Sequence, residues 1–70
     1  MLTKYVGSRH IEEITYDEST MTLLVTFSRG NAQYEYYGVG KFTAVDLMRE
    51  NDPYHYFIDH IKNQYRYKRV

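Results

Sequence analysis

The chain has 70 residues, with nine basic side chains balancing nine acidic ones, nine tyrosines, three phenylalanines and no cysteine. That length allows one domain, residues 1–70, which buries only about 60% of the surface its unfolded chain exposes. The absence of thiols excludes disulfide staples, thiolate metal ligands and thiol nucleophiles. No run approaches the roughly 18 apolar residues of a membrane span.

In chain order, residues 1–9 read as a lead-in segment. Val6 is available for packing, and Gly7-Ser8 permits a bend. Met1 to Tyr5 lacks the apolar core of a secretory signal, so the expected location is the cytoplasm. Ile11 to Tyr16 reads as a strand with Ile14 and Tyr16 on one face; Ile11 is out of phase with them, which calls for a bulge or a late start. Glu12 and Glu13 are adjacent, so on a regular strand they face opposite ways and form no carboxylate pair. Asp17-Glu18-Ser19-Thr20 is a turn, since Asp and Ser offer side-chain oxygens to nearby backbone N–H groups.

Thr22 to Ser28 is the second strand, with Leu23, Val25 and Phe27 alternating with Leu24, Thr26 and Ser28. Arg29-Gly30-Asn31 forms a short hairpin turn in which Gly30 or Asn31 takes a positive φ. Ala32 to Tyr37 is the third strand. Tyr34 and Tyr36 share one face and Tyr37 takes the other. Two arrangements remain open for that pair: packing against the helices, or facing solvent to stack on bases. Packing is favoured, because an aromatic pair in a central strand gains more buried than exposed. Tyr37 is then the exposed ring.

Gly38-Val39-Gly40 breaks the strand, and Lys41 to Glu50 reads as a helix whose stripe is Phe42, Val45 and Met48, flanked by Ala44 and Leu47. Asp52 suits an N-cap and Pro53 a first helical position. The second helix runs from Tyr54 to Asn63 with a stripe of Tyr54, Phe57, Ile58, Ile61 and Tyr65. Tyr65 to Val70 is a basic tail. The predicted architecture is α+β: a three-stranded antiparallel β-meander followed by two α-helices packed on one face.

Charge is unevenly spread. Residues 1–53 carry five basic against eight acidic side chains; residues 54–70 carry four against one. The basic end, Lys62, Arg66, Lys68 and Arg69 interleaved with Tyr65 and Tyr67, combines cations for phosphates with rings for stacking. With Tyr37 it forms the candidate nucleic-acid-binding set: Tyr37, Lys62, Arg66, Tyr67, Lys68 and Arg69. The competing view of the tail is a solvated end that keeps a neutral protein soluble. Glu12, Glu13, Asp17 and Glu18 form an acidic cluster suited to a basic patch on a partner protein. His55 and Asp59 stand four apart on the second helix, but His60 points elsewhere. Two ligands make a surface ion pair rather than a metal site, so no metal or cofactor is expected. Ser8 and His10 lack an orienting third group, and no nucleophile elbow or phosphate loop is present. The expectation is a non-enzymatic binding module.

Three blocks resemble the KTSC domain family: Ser8-x-x-Ile11-x-x-Ile14-x-Tyr16-Asp17; Tyr34-Glu35-Tyr36-Tyr37-Gly38-Val39; and Tyr56-Phe57-x-x-His60-Ile61 with Tyr65-x-Tyr67-Lys68-Arg69-Val70. The resemblance covers residues 6–70. It implies a short domain that stands alone in bacterial and phage proteins and also ends some lysyl-tRNA synthetases. From the synthetase context it implies RNA or ribonucleoprotein as partner. The alternative is a protein-interaction module, such as a phage or mobile-element product that inhibits a host nucleic-acid-handling protein. The chain departs from the family's pattern at Gly40, where proline is usual, at Asp52-Pro53-Tyr54, where a Ser-Lys-Gly-like start is common, and at Ile58, where asparagine is common. A role carried by those polar positions would be altered in this member.

Overall fold

Leu23 and Val25 stand two residues apart and expose no surface, while Leu24 and Thr26 between and beyond them face the opposite side. That alternation organises the sheet. The structure, a computed structural model, describes residues 1–70. Its elements are β1 (Leu2–Tyr5), β2 (Ile11–Asp17), β3 (Thr22–Phe27), β4 (Gln33–Tyr37), α1 (Lys41–Arg49), α2 (Pro53–His60) and β5 (Tyr67–Arg69). The five strands form one antiparallel sheet in the order β1-β2-β3-β4-β5.

The fold class is α+β, as expected, but the sheet has five strands rather than three. The segment read as a lead-in supplies β1, and the basic tail supplies β5. Each pairs on one side only, and both are largely exposed, so neither needs an apolar alternation to form. The bulge expected near Ile11 is present: two steps along β2, from Ile11 to Glu13, match one step along β3, from Phe27 to Thr26. It returns Ile11 to the buried face beside Ile14 and Tyr16. Both Gly30 and Asn31 take positive φ in the β3–β4 turn.

The core lies between one sheet face and the two helices. Ile11, Ile14, Tyr16, Leu23, Val25 and Tyr36 face Ala44, Leu47, Phe57 and Ile61 across it. Helix α1 is rotated from its expected stripe. Ala44 and Leu47 are fully buried, whereas Phe42 is 83% exposed. The apolar set 42/45/48 and the set 44/47 lie on adjoining sides, and the sheet receives the smaller, Ala-containing side, which lets the helix approach. Ile58 of the expected α2 stripe lies at the margin, 37% exposed. Asp52 precedes α2 without a side-chain cap bond, and Pro53 takes the first helical position, buried. Lys4 donates from β1 to the Met48 carbonyl near the C-terminal end of α1, where the helix dipole favours a cation.

The β4–α1 connection is held by Val39. Gly38 turns the chain at φ 73°. The Val39 N–H then donates to the Met21 carbonyl (3.0 Å), and the Val39 carbonyl accepts the Tyr16 hydroxyl at 2.6 Å. Both side chains are fully buried. Replacing Tyr16 by Phe keeps the ring and leaves a carbonyl without its donor away from water, so stability falls by about 1–3 kcal/mol. The expected readout is a lower urea midpoint at unchanged m-value; an unmoved midpoint would show that this hydroxyl does not secure the connection.

Candidate functional site

The aromatic side chains converge on Phe57, in the middle of α2. Its ring meets Phe27 at 5.6 Å and Tyr36 at 5.3 Å, both edge-on, and lies nearly parallel to Tyr54 at 6.5 Å. Tyr34 packs edge-on to Phe27 at 5.7 Å and touches Tyr67 of β5 at 5.8 Å; Tyr67 also leans on Tyr36 at 5.6 Å. These contacts follow from register. Tyr36 is opposite Tyr67 and Tyr34 is opposite Arg69, so all four side chains point to the helix side of the sheet. Of the two arrangements open for the tyrosine pair, Tyr36 is core at 4% exposure, and Tyr34 is half-buried against it.

Between α2 and the β4–β5 edge these rings leave a groove of about 340 Å³, at the small end of the range for ligand pockets. Tyr34, Tyr36, Tyr54, Phe57 and Tyr67 wall it, and Lys62 and Asn63 stand at the end of the helix. The Arg69 guanidinium lies 5.9 Å from the Tyr34 ring centroid, close enough for a cation–π contact. No carboxylate lines the groove. A second recess adjoins it, sharing Phe27 and Tyr54, and is otherwise made of Arg9, His10, Ser28 and Arg29.

The six residues assigned from sequence to nucleic-acid binding are divided by the sheet. Lys62 and Tyr67 line the groove, with Arg69 beside them. Lys68 is opposite Glu35 on the other face. Tyr37 is on that face as well, its hydroxyl donating to Glu35 Oε1 at 2.9 Å. Arg66 leads into β5, its carbonyl accepting the Tyr37 N–H at 2.9 Å. The bond to Glu35 and the nearby carboxylate charge raise the Tyr37 phenol above its usual range.

Of the acidic set, Asp17 is occupied within its turn, accepting the Ser19 N–H (3.0 Å) and hydroxyl (2.7 Å), which lowers its carboxyl pKa. Glu18 is 3.5 Å from Lys41. The Glu12 carboxylate raises the Tyr5 phenol above its usual range. On α2, His55 and Asp59 contact each other at 3.0 Å, while His60 packs on the Tyr56 ring at 4.5 Å. The Ser8 hydroxyl both accepts from and donates to the Ile11 backbone, a turn role.

Sequence reasoning missed Phe27, Tyr54, Arg9 and Arg29 as site residues. One signal for the two arginines was present. Antiparallel pairing of β2 with β3 brings the residues before Ile11 beside those after Phe27, and the Ser28 N–H does donate to the His10 carbonyl at 3.0 Å.

An antiparallel sheet carrying two helices on one face, with an aromatic groove at its last edge, defines a small α+β domain. The chain belongs to the KTSC domain family, whose description matches residues 7–65. Its fold is similar to the crystal structure of a KTSC domain protein from Yersinia pestis, at TM-score 0.90 and 23% identity over 99% of this chain and 96% of that one. No functionally curated protein matches the chain. No helix is long and apolar enough to cross a membrane.

Burial pushes the Tyr36 phenol up to about 12, with the Tyr67 and Tyr34 phenols adding to the shift. A phenol raised on folding from 10.0 favours the folded state fully below about pH 10 and loses that contribution as pH climbs towards about 12. Tyr36→Phe removes the ionisable group from the groove wall. Alkaline unfolding, followed by tyrosinate absorbance and circular dichroism, is then expected to move to higher pH. An unchanged alkaline midpoint would place the origin of the transition at other tyrosines.

Proposed function

We propose that this KTSC domain is a non-enzymatic module that binds single-stranded RNA, free or in a ribonucleoprotein, through the groove between α2 and the β4–β5 edge. The observation that carries this reading is the groove's composition: five aromatic walls, cations at Lys62 and Arg69, and no carboxylate in the lining. Bases from any sequence present a flat π-face, so exposed tyrosine rings hold them with little sequence preference. Tyr67 is 58% exposed and is the ring best placed for this. Lys62 and Arg69 meet the phosphates of the same strand, which ties affinity to salt. Arg66 and Lys68 sit around β5, where they assist by charge while Glu35 opposes them, and Tyr37 offers a further ring on the far face.

The test is fluorescence anisotropy with labelled octauridylate over a salt series, beside octathymidylate to separate RNA from DNA. Lys62→Ala with Arg69→Ala is expected to weaken binding and to flatten the plot of log affinity against log salt by about 1.4, at about 0.7 per phosphate contact. Tyr67→Ala is expected to cost about 1–3 kcal/mol, one stacked base. Binding that ignores salt and both variants defeats the reading. A stoichiometric protein partner, retained after nuclease and released when Glu12, Glu13, Asp17 and Glu18 are neutralised, would establish the protein-interaction alternative instead.

A further inference from the structure

We propose that the groove has a second anion-binding end, built by Arg9 and Arg29 with His10 and Ser28, which holds a backbone phosphate of the same single strand whose bases lie in the aromatic groove. This rests on the RNA-binding reading and extends the contact surface to the end of the groove remote from β5.

Two loops make this end, and both are tied down. The Ser28 N–H donates to the His10 carbonyl at 3.0 Å, and the Ser28 hydroxyl donates to the Ser8 carbonyl at 2.6 Å, which locks the β1–β2 connection to the start of the β3–β4 turn. The His10 ring stacks on Tyr54 at 4.2 Å and 17°, so the same loop is also fixed to α2. Arg9 and Arg29 are exposed, no carboxylate lines the recess they share, and neither makes an ion pair within the chain. Two free guanidiniums beside an imidazole edge form a fork-shaped donor set suited to phosphate oxygens. The recess shares Tyr54 and Phe27 with the aromatic groove, so a strand lying on the rings and held by Lys62 and Arg69 at one end leads into Arg9 and Arg29 at the other. The basic tail is then one half of a two-ended cationic surface.

The experiment compares three double variants in the octauridylate salt series: Arg9→Ala with Arg29→Ala, Lys62→Ala with Arg69→Ala, and Lys41→Ala with Arg49→Ala. The last pair removes equal charge from α1, outside both recesses. Circular dichroism confirms the fold of each, and all six side chains are exposed. If the proposal holds, the Arg9/Arg29 variant flattens the salt slope by about 1.4, so that between 50 and 200 mM salt its affinity drops about sevenfold less than the parent's. The Lys41/Arg49 variant keeps the parental slope. If the Lys62/Arg69 variant is impaired while the Arg9/Arg29 variant matches the parent, the second end is overturned and the groove reading survives. If all three variants lose slope equally, the effect is general charge and the second end is overturned. If the parent does not bind, both fail together.

Discussion

The packing of one ring decides the shape of this protein. Phe57 is 2% exposed and lies against Phe27, Tyr36 and Tyr54, so it fastens α2 to the β3–β4 part of the sheet. A buried phenylalanine cut to alanine typically costs about 3–5 kcal/mol, against the roughly 5–15 kcal/mol that holds a typical domain folded. No disulfide is available to offset such a loss. The same ring also floors the groove, so the contact that keeps α2 in place is the one that leaves Tyr34, Tyr54 and Tyr67 standing around an opening. Stability and site share a residue, and the site cannot be separated from the core beneath it.

The sheet sorts charge that the formal sum conceals. The face away from the helices carries Glu35 beside Tyr37, with Asp17 close by on the same surface and Lys68 as the cation opposite Glu35. On the helix side, the two adjoining recesses are lined or flanked by Lys62, Arg69, Arg9 and Arg29, and no carboxylate lines either of them. An anion at the aromatic groove therefore meets a different local field from an anion beside Glu35 and Asp17 on the far face.

What could be read from the chain followed from how strongly burial constrains it. The central strands were legible because Leu23, Val25, Ile14, Tyr16 and Tyr36 must all reach one buried face, and a period of two is the only way a strand can deliver them. β1 and β5 were not, because edge strands carry exposed residues that answer to pairing alone. The face of α1 was misjudged at Phe42 because its apolar residues wrap more than half the helix, and only the shape of the sheet opposite selects Ala44 and Leu47. In the site, Lys62, Tyr67 and Arg69 were visible as cations and rings close together in sequence. Arg9 and Arg29 are twenty residues apart, and only the paired ends of β2 and β3 join them.

Strand order has a consequence for whatever is joined to this domain. β1 and β5 are the two outer strands, so the termini leave from opposite sides of a sheet about 19 Å wide at the usual strand spacing. The Val70 N–H is still bonded to the Gln33 carbonyl at 2.9 Å, so the last residue is held against β4 at the rim of the groove. A neighbour fused ahead of Leu2 hangs from the far side and leaves the aromatic opening clear. A neighbour fused after Val70 emerges beside that opening and shares its solvent. Linkage order, with no change in either partner, thus sets whether the groove works as a free mouth or as a joint between two bodies.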